Sequence, residues 1–131
     1  MISLITQEIR VSAESMYQRA YSVPAKQQFV YAYRIRIGNE GNTPVKLLSR
    51  IWEVVDGTGA RRVVEGEGVV GQQPVIMPGH YHEYTSWVQF ETPIGAMRGN
   101  YIMQRVDRFN TGELFEVEVP KFMHVAPEVL N

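Results

Sequence analysis

The alternation of side-chain types between residues 27 and 39 limits the fold of this chain more than any other feature of its sequence. In this segment, QQFVYAYRIRIGN, every second position holds a large apolar residue. The five residues are Phe29, Tyr31, Tyr33, Ile35 and Ile37. A β-strand directs alternate side chains to opposite faces, whereas a helix would scatter these five around its circumference. We therefore predict a strand whose face formed by these five residues lies in a core.

Similar segments, rich in β-branched and aromatic residues, recur along the chain. The further predicted strands are 6–17, 45–55, 61–68, 80–90, 97–106 and 113–120. Segment 45–55 is apolar on both faces, which indicates a central strand, and the DGTG that follows it is typical of a hairpin turn. Short strands separated by glycine and proline turns, with no window of helical periodicity, predict an all-β fold. We expect a two-sheet antiparallel β-sandwich of about seven strands.

Composition and charge exclude several classes of protein. A chain of 131 residues can bury a hydrophobic core, and we expect one domain over residues 1–131. The net charge of −1 offers no excess of positive charge for nucleic acid, which we do not expect as a partner. The absence of cysteine excludes disulfides and thiolate chemistry. No signal-peptide pattern and no apolar run of about 18 residues is present, so we expect a cytoplasmic protein without membrane contact.

The segment EGEGVVGQQP, residues 65–74, contains three glycines in the spacing G-x-G-x-x-G that dinucleotide-binding loops use. They are Gly66, Gly68 and Gly71. Such a loop binds pyrophosphate because it opens a helix whose free N–H groups face the ligand. Here Pro74 and Pro78 exclude a helix interior. We therefore predict that the glycines serve backbone geometry, with at least one at positive φ or at a bulge, and we expect no cofactor.

Longer motifs make this chain similar to the bacterial ApaG family. They are FVYAYRIRIGNEG (29–41), PVKLLSRIW (44–52), EGEGVVGQQPVIMPG (65–79), YTS (84–86), ETPIGAMRGNYIM (91–103) and VPKFMHVAP (119–127). The resemblance implies a sandwich like those of immunoglobulin or fibronectin type III domains. It implies no established biochemical activity. Members are often labelled cobalt/magnesium efflux proteins, and a similar domain in some eukaryotic F-box proteins serves protein contacts.

Three positions depart from that family's usual pattern. Trp87 stands where a small residue is usual, and His80 stands where an acidic residue is usual. The segment VDRFNTGELF, residues 106–115, differs from the family in sequence and length. These departures concern local surface chemistry more than the fold.

Two predicted loops are candidates for a recognition surface, because loops on a rigid scaffold commonly carry binding. They are the glycine-rich loop, residues 66–74, and the turn TPIGAMRG, residues 92–99. The candidate binding residues are Gly66, Gly68, Val69, Val70, Gly71, Pro74, Ile94, Gly95, Met97 and Gly99. Either their apolar side chains are exposed for a partner, or they pack inward beneath the loops. We predict a non-catalytic binding module for an unidentified protein partner, and an exposed edge strand leaves homodimerisation open.

Two sets of side chains could hold a cation. His80 and His82 share one face of a strand and could bind cobalt, nickel or zinc, although no third ligand is evident nearby. Four carboxylates could face one another across a hairpin and act as acid and base, or hold magnesium: Glu53, Asp56, Glu65 and Glu67. The alternative function is therefore a protein that binds a small anion, a nucleotide or a divalent cation in connection with cobalt/magnesium homeostasis.

Nothing in the sequence marks this chain as an enzyme or an RNA-binding protein. Ser49 and Ser86 lack the context of a catalytic nucleophile, and His124 is expected in a C-terminal tail away from any serine. Five arginines could form a basic patch if their strands were neighbours: Arg34, Arg36, Arg50, Arg61 and Arg62. The neighbouring tyrosines lie on the opposite face from Arg34 and Arg36, which argues against a stacking platform for RNA.

Overall fold

The computed structural model describes residues 1–107 and 112–127, which form a β-sandwich. The strands are β1 (Ile2–Thr6), β2 (Ile9–Tyr17), β3 (Phe29–Asn39), β4 (Val45–Asp56), β5 (Arg61–Glu67), β6 (Val75–Ile76), β7 (Tyr81–Phe90), β8 (Ile94–Arg105) and β9 (Leu114–Val125). Two single-turn 3-10 helices, Arg19–Tyr21 and Pro24–Lys26, connect β2 to β3. Within the described ranges, no helix is long and apolar enough to cross a bilayer. The predicted all-β class is confirmed.

The two sheets are antiparallel and pack face to face. One sheet has the strand order β1-β2-β3-β7, and the other has the order β5-β4-β8-β9, with the short β6 also paired to β4. Strand β4 lies between β5 and β8, so the prediction of a central strand is confirmed. On one side of the sandwich, β1 and β2 contact β9. On the other side, β5 and β7 end their sheets as edge strands.

The predicted inward face of β3 forms the middle of the core. Its five large side chains, Phe29, Tyr31, Tyr33, Ile35 and Ile37, are between 0% and 7% exposed. The opposite face of β3 carries arginines that pair with glutamates on the neighbouring strands. Arg34 pairs with Glu14 and Glu83, and Arg36 pairs with Glu83 at 3.1 Å. The alternation along this strand therefore separates core from solvent, as the sequence predicts.

The structure has nine strands where about seven were predicted, and one of the two additional strands is β1, which precedes β2 and shares only Thr6 with the predicted segment 6–17. A tight turn divides it at Gln7 and Glu8, whose φ angles are 47° and 67°. Two residues at positive φ are what a two-residue hairpin of type I′ requires, and that turn usually contains glycine, asparagine or aspartate. The sequence therefore carries no local signal for the turn. The second additional strand is the two-residue β6, which lies between Pro74 and Pro78.

The last strand is also longer than predicted. Strand β9 continues past Pro120 to Val125, whereas the predicted strand ended at residue 120. The register between β8 and β9 shifts where Pro120 and Lys121 lie opposite Arg98. Such a bulge tolerates a proline inside a strand. Part of the divergent segment 106–115, residues 108–111, lies outside the described residues.

Candidate functional site

The glycine-rich loop that connects β5 to β6 is built around a two-residue turn. The N–H of Val69 donates to the carbonyl of Gln72 at 2.8 Å, and the N–H of Gln72 donates back to Val69 at 3.0 Å. The two residues between them, Val70 and Gly71, have φ angles of 48° and 75°. No helix follows, because the chain enters β6 directly after Pro74. The predicted positive φ is confirmed at Gly71 and also at Gly68, whose φ is 60°.

Gly66 and Gly68 give the loop room that a side chain would fill. A Cβ at Gly68 would lie 2.1 Å from the carbonyl oxygen of Gln72. A Cβ at Gly66 would lie 2.8 to 3.0 Å from the guanidinium of Arg50. That guanidinium donates from Nη1 to the carbonyl oxygens of Glu67 at 3.1 Å and of Gly68 at 2.8 Å. The backbone conformation at Gly68 and the space that the guanidinium of Arg50 needs at Gly66 thus account for these two glycines.

We expect Gly68→Ala to destabilise the fold more than Gly71→Ala. Both glycines have positive φ, where a Cβ costs roughly 1 kcal/mol or more. Only the Gly68 variant adds a clash with backbone, since nothing lies within 4 Å of a Cβ at Gly71. Urea denaturation of both variants measures this difference. A nucleotide titration should stay equally flat in wild type and variants; binding that only the wild type shows would restore the phosphate-loop interpretation.

A cleft of about 390 Å³ lies between the edge strands β5 and β7, next to this loop. It is the central feature of the candidate site. Buried core side chains form its floor, among them Tyr33, Trp52 and Met97. The full lining is Tyr33, Arg50, Trp52, Val54, Arg62, Val64, Val69, Val70, Tyr84, Ser86, Trp87, Val88, Gln89 and Met97. The sandwich therefore has a groove along one side, with buried core side chains directly beneath it.

The cleft carries positive charge. Arg50 and Arg62 line it, and its lining residues include no carboxylate. Arg62 donates from Nη2 to the carbonyl oxygen of Gln89 at 3.3 Å, which links β5 to β7. Within the described part of the chain, neither arginine forms an ion pair, whereas Arg61 and Arg98 both pair with Glu53. A ligand with negative charge would find two guanidinium groups there that no acidic side chain of the described residues neutralises.

Aromatic side chains shape the wall formed by β7. The ring of Trp87 is 52% exposed and packs edge-on against Tyr21, with 5.3 Å between ring centroids. Deeper in the cleft, the hydroxyl groups of Tyr84 and Tyr101 form a hydrogen bond between the two sheets. Desolvation raises the pKa of both tyrosines, so both remain protonated at neutral pH. The hydrogen-bonded tyrosines therefore lie beneath the cleft, whereas the ring of Trp87 lies at its edge, on the outer face of the sheet with its strand partner Ala32.

The structure separates the predicted binding residues into two groups. The predicted turn TPIGAMRG is wrong from residue 94 onward, because Ile94, Gly95, Met97 and Gly99 belong to β8. Met97 and Val69 are buried, so the inward-packing alternative is correct for both. At the two β8 glycines a Cβ would meet the ring of Phe90 or the carbonyl of Ile51, so both serve packing. Val70 is 62% exposed, and with the glycines of its loop it stays a candidate for contact.

From the sequence, Arg62 is a candidate only for a basic patch with four other arginines, and Tyr84 and Trp87 are not predicted to line a site. The position of Arg62 follows in part from the DGTG hairpin. The register of that hairpin pairs Trp52 with Val64 and Val54 with Arg62. Paired residues share one face of a sheet, so these side chains project toward the same interior as Trp52. The contribution of β7 has no such signal, since β7 belongs to the other sheet.

The described residues do not form either of the two candidate cation sites, the histidine pair or the group of four carboxylates. His80 is exposed just before β7 and His82 is half-buried within it, and residues 1–107 and 112–127 contain no cluster of three metal-ligating side chains. The four carboxylates do not converge. Glu53 pairs with arginines, and Asp56 accepts hydrogen bonds from Thr58 that lower the pKa of its carboxyl group.

His124 corrects another prediction. It was expected in a tail away from any serine, but it lies in β9, fully buried, with Nδ1 2.7 Å from Oγ of Ser15. Burial lowers the pKa of the imidazole to about 4, so the ring is neutral at pH 7. Its Nε2 has no hydrogen-bond partner among the described residues. The contact joins the two sheets inside the core, where a substrate has no access.

Comparisons with known proteins agree with this architecture and with the motifs. Residues 19–105 match the family model of the ApaG domain. The chain is 40% identical over 131 residues to Protein ApaG of Anaeromyxobacter dehalogenans, and the match covers 100% of both chains. It is 43% identical over 121 residues to Protein ApaG of Enterobacter sp., where the match covers 92% of this chain and 94% of the relative. A crystal structure of a Bordetella pertussis protein assigned as ApaA has a TM-score of 0.86 at 41% identity, covering 91% of this chain and 94% of its own. The chain therefore belongs to the ApaG family.

Proposed function

We propose that this protein is a non-catalytic, cytoplasmic binding module that contacts a protein partner through the cleft between β5 and β7. One observation carries the proposal: the cleft opens onto core side chains beside two arginines that have no acidic partner among the described residues. Arginine and aromatic residues in a pocket that excludes water are the groups that dominate binding energy at protein interfaces. Trp87 borders the cleft as well, and its exposed ring packs against Tyr21 on the outer face of the same sheet.

The arrangement of titratable groups supports binding more than catalysis. A catalytic nucleophile needs a base within hydrogen-bond reach and a place for the substrate. Ser15 and His124 meet the first condition, but His124 is fully buried in the core. Beneath the cleft, the hydroxyls of Tyr84 and Tyr101 bond to each other, and burial raises their pKa values, which makes them poor bases at neutral pH.

The proposal is tested by photo-cross-linking in extract of the cells that make the protein. We expect p-benzoylphenylalanine in place of Trp87 to form a protein adduct of defined mass. The same group in place of Met123, an exposed residue of β9, is the control and should form none. A mass twice that of the chain would identify the partner as a second copy. No adduct at position 87, or equal adducts at both positions, would contradict the proposal.

The alternative function is the binding of a small anion, a nucleotide or a divalent cation. The guanidiniums of Arg50 and Arg62 favour the anion among these ligands, since they line a cleft whose described lining residues include no carboxylate. Isothermal titration with diadenosine tetraphosphate, cobalt and magnesium separates the two functions. Saturable micromolar binding together with the absence of cross-linking at position 87 would favour the alternative.

A further inference from the structure

The outer edge of β7 has free backbone groups. Strand β7 pairs with β3 without a break from Gly38–Tyr81 to Phe29–Phe90, and no strand of residues 1–107 and 112–127 pairs with its other edge. Successive residues of a strand direct their N–H and C=O groups to opposite edges. The carbonyl of His80 accepts from Asn39 toward β3, so even-numbered residues bond inward. The carbonyl of Gln89 accepts instead from Arg62 across the cleft, so odd-numbered residues face the free edge.

The edge of β7 also lacks the features that usually protect such an edge. Proteins commonly block edge strands with lysine, proline or a bulge, because unpaired backbone groups bind other strands. Residues 81–90, YHEYTSWVQF, contain neither lysine nor proline, and their register with β3 has no bulge. On the other side of the sandwich, β1 and β2 are covered by β9. The cleft is thus bordered by an edge strand that carries none of these blocking features.

We propose, resting on the proposed function, that β7 binds an extended acidic segment of a protein partner as an added strand. The odd-numbered residues of β7, Thr85 and Trp87 among them, would form the backbone hydrogen bonds. Alternate side chains of the added strand would enter the cleft. Carboxylates among them would pair with Arg50 and Arg62, which have no acidic partner among the described residues. The proposed ligand is therefore defined by two properties, its negatively charged side chains and its extended backbone.

The register of β4 and β5 predicts the spacing of the acidic residues. Gly66 is paired with Arg50 and Val54 with Arg62, so the two guanidiniums lie four strand positions apart, with the Trp52–Val64 pair between them. Four positions of a strand span about 13 Å. An added strand running along the cleft would therefore carry acidic residues at i and i+4. Position i+2 would be apolar, because it lies over Trp52 and Val64.

Selection from a phage-displayed library of random nonapeptides tests this prediction directly. We expect peptides recovered on the wild-type protein to contain Asp or Glu at i and i+4, an apolar residue at i+2, and few prolines. Arg62→Met should reduce their affinity at least tenfold, and Arg50→Met should do the same, although Arg50 also holds the loop. Arg98→Met removes an arginine paired with Glu53 outside the cleft, and it should leave the affinity unchanged.

Two proline substitutions, one on each edge strand beside the cleft, test whether the peptide binds to β7 or to β5. Thr85→Pro removes an N–H from the free edge of β7 and leaves the pairing with β3 intact, so it should weaken peptide binding at least tenfold. Even-numbered residues on this side bond to β4, as Ala60 and Gly68 do, so the N–H of Val63 faces the free edge of β5. Val63→Pro removes that N–H and should leave peptide binding unchanged. Thermal melts of both variants confirm that each remains folded.

The outcomes separate this proposal from the function on which it rests. Recovery of neutral or basic peptides, no recovery, or equal loss in both proline variants would overturn the acidic strand on β7. If position 87 still cross-links to a protein, the binding module stands and only its occupant is wrong. If position 87 forms no adduct, the proposed function itself fails. An unchanged affinity in Arg62→Met would contradict the assigned ion pair.

Discussion

Tyr31→Ala is expected to destabilise the fold by about 3–5 kcal/mol, the range for truncating a large aromatic residue in a core. The side chain of Tyr31 is fully buried. Its ring packs against Tyr17, Phe90 and His124, with centroid distances of 5.4, 5.9 and 4.9 Å. Removing it leaves a cavity between the two sheets that backbone hydrogen bonds within each sheet prevent from collapsing. Urea denaturation followed by circular dichroism measures the loss.

Two further variants show whether the loss comes from the ring. Tyr31→Phe keeps the ring and removes the hydroxyl group, which donates to the carbonyl oxygen of Pro93; that oxygen also accepts from the N–H of Ala126. We expect it to cost about 0.5–1.5 kcal/mol. Tyr81→Ala truncates an exposed tyrosine that lies over Arg36, and it should cost less than about 1 kcal/mol. Equal losses in Tyr31→Ala and Tyr81→Ala would show that the core does not depend on this ring.

His124 should make the fold less stable in mild acid. The pKa of its imidazole is lowered from 6.5 to about 4 in the folded protein, because burial disfavours the charged ring. Above pH 6.5 the ring is neutral in both states and the stability is complete. As the pH falls from 6.5 toward 4, the unfolded chain binds a proton that the folded chain does not. The free energy of unfolding should therefore fall by about 1.4 kcal/mol per pH unit, or about 3 kcal/mol in all.

The contribution of His124 is isolated by comparing the wild type with His124→Phe between pH 7 and pH 4.5. The variant should lose most of the slope that the wild type shows. His82 changes stability in the same direction, since partial burial lowers its pKa as well, and it is present in both proteins. If the variant does not fold, the imidazole resonances of wild-type His124 provide the test. A titration midpoint near 6.5 in the folded protein would contradict the assigned burial effect.

The two experiments concern the base of the candidate site. Tyr31 and His124 hold the sheets together, and the Tyr84–Tyr101 hydrogen bond joins the same sheets under the cleft. A cleft supported in this way keeps its shape when empty, which reduces the entropy lost when a ligand binds. We therefore expect a core variant that leaves the cleft residues unchanged to lower the free energy of unfolding by more than it weakens the free energy of peptide binding.

Much of the fold follows from the sequence because its signals are local. The alternation in β3 assigns the inward face of that strand, since the two faces of a strand differ by one residue position. The apolar character of segment 45–55 on both faces indicates its central place, and DGTG closes the hairpin to β5. Pro74 and Pro78 exclude the helix that a phosphate loop needs. The sequence therefore predicts positive φ or a bulge at one or more of Gly66, Gly68 and Gly71, and the structure places Gly68 and Gly71 at positive φ.

The tertiary structure alone decided the site. Strands β5 and β7 belong to different sheets, so the cleft between them depends on how the sheets pack, which no local period encodes. Ser15 and His124 are 109 positions apart in the sequence and meet only because β2 packs against β9. The turn at Gln7 and Glu8 adopts positive φ without glycine, because the pairing of β1 with β2 imposes it. Alternation assigns each side chain to a face of its strand, but only packing between sheets determines which faces meet and which edge stays open.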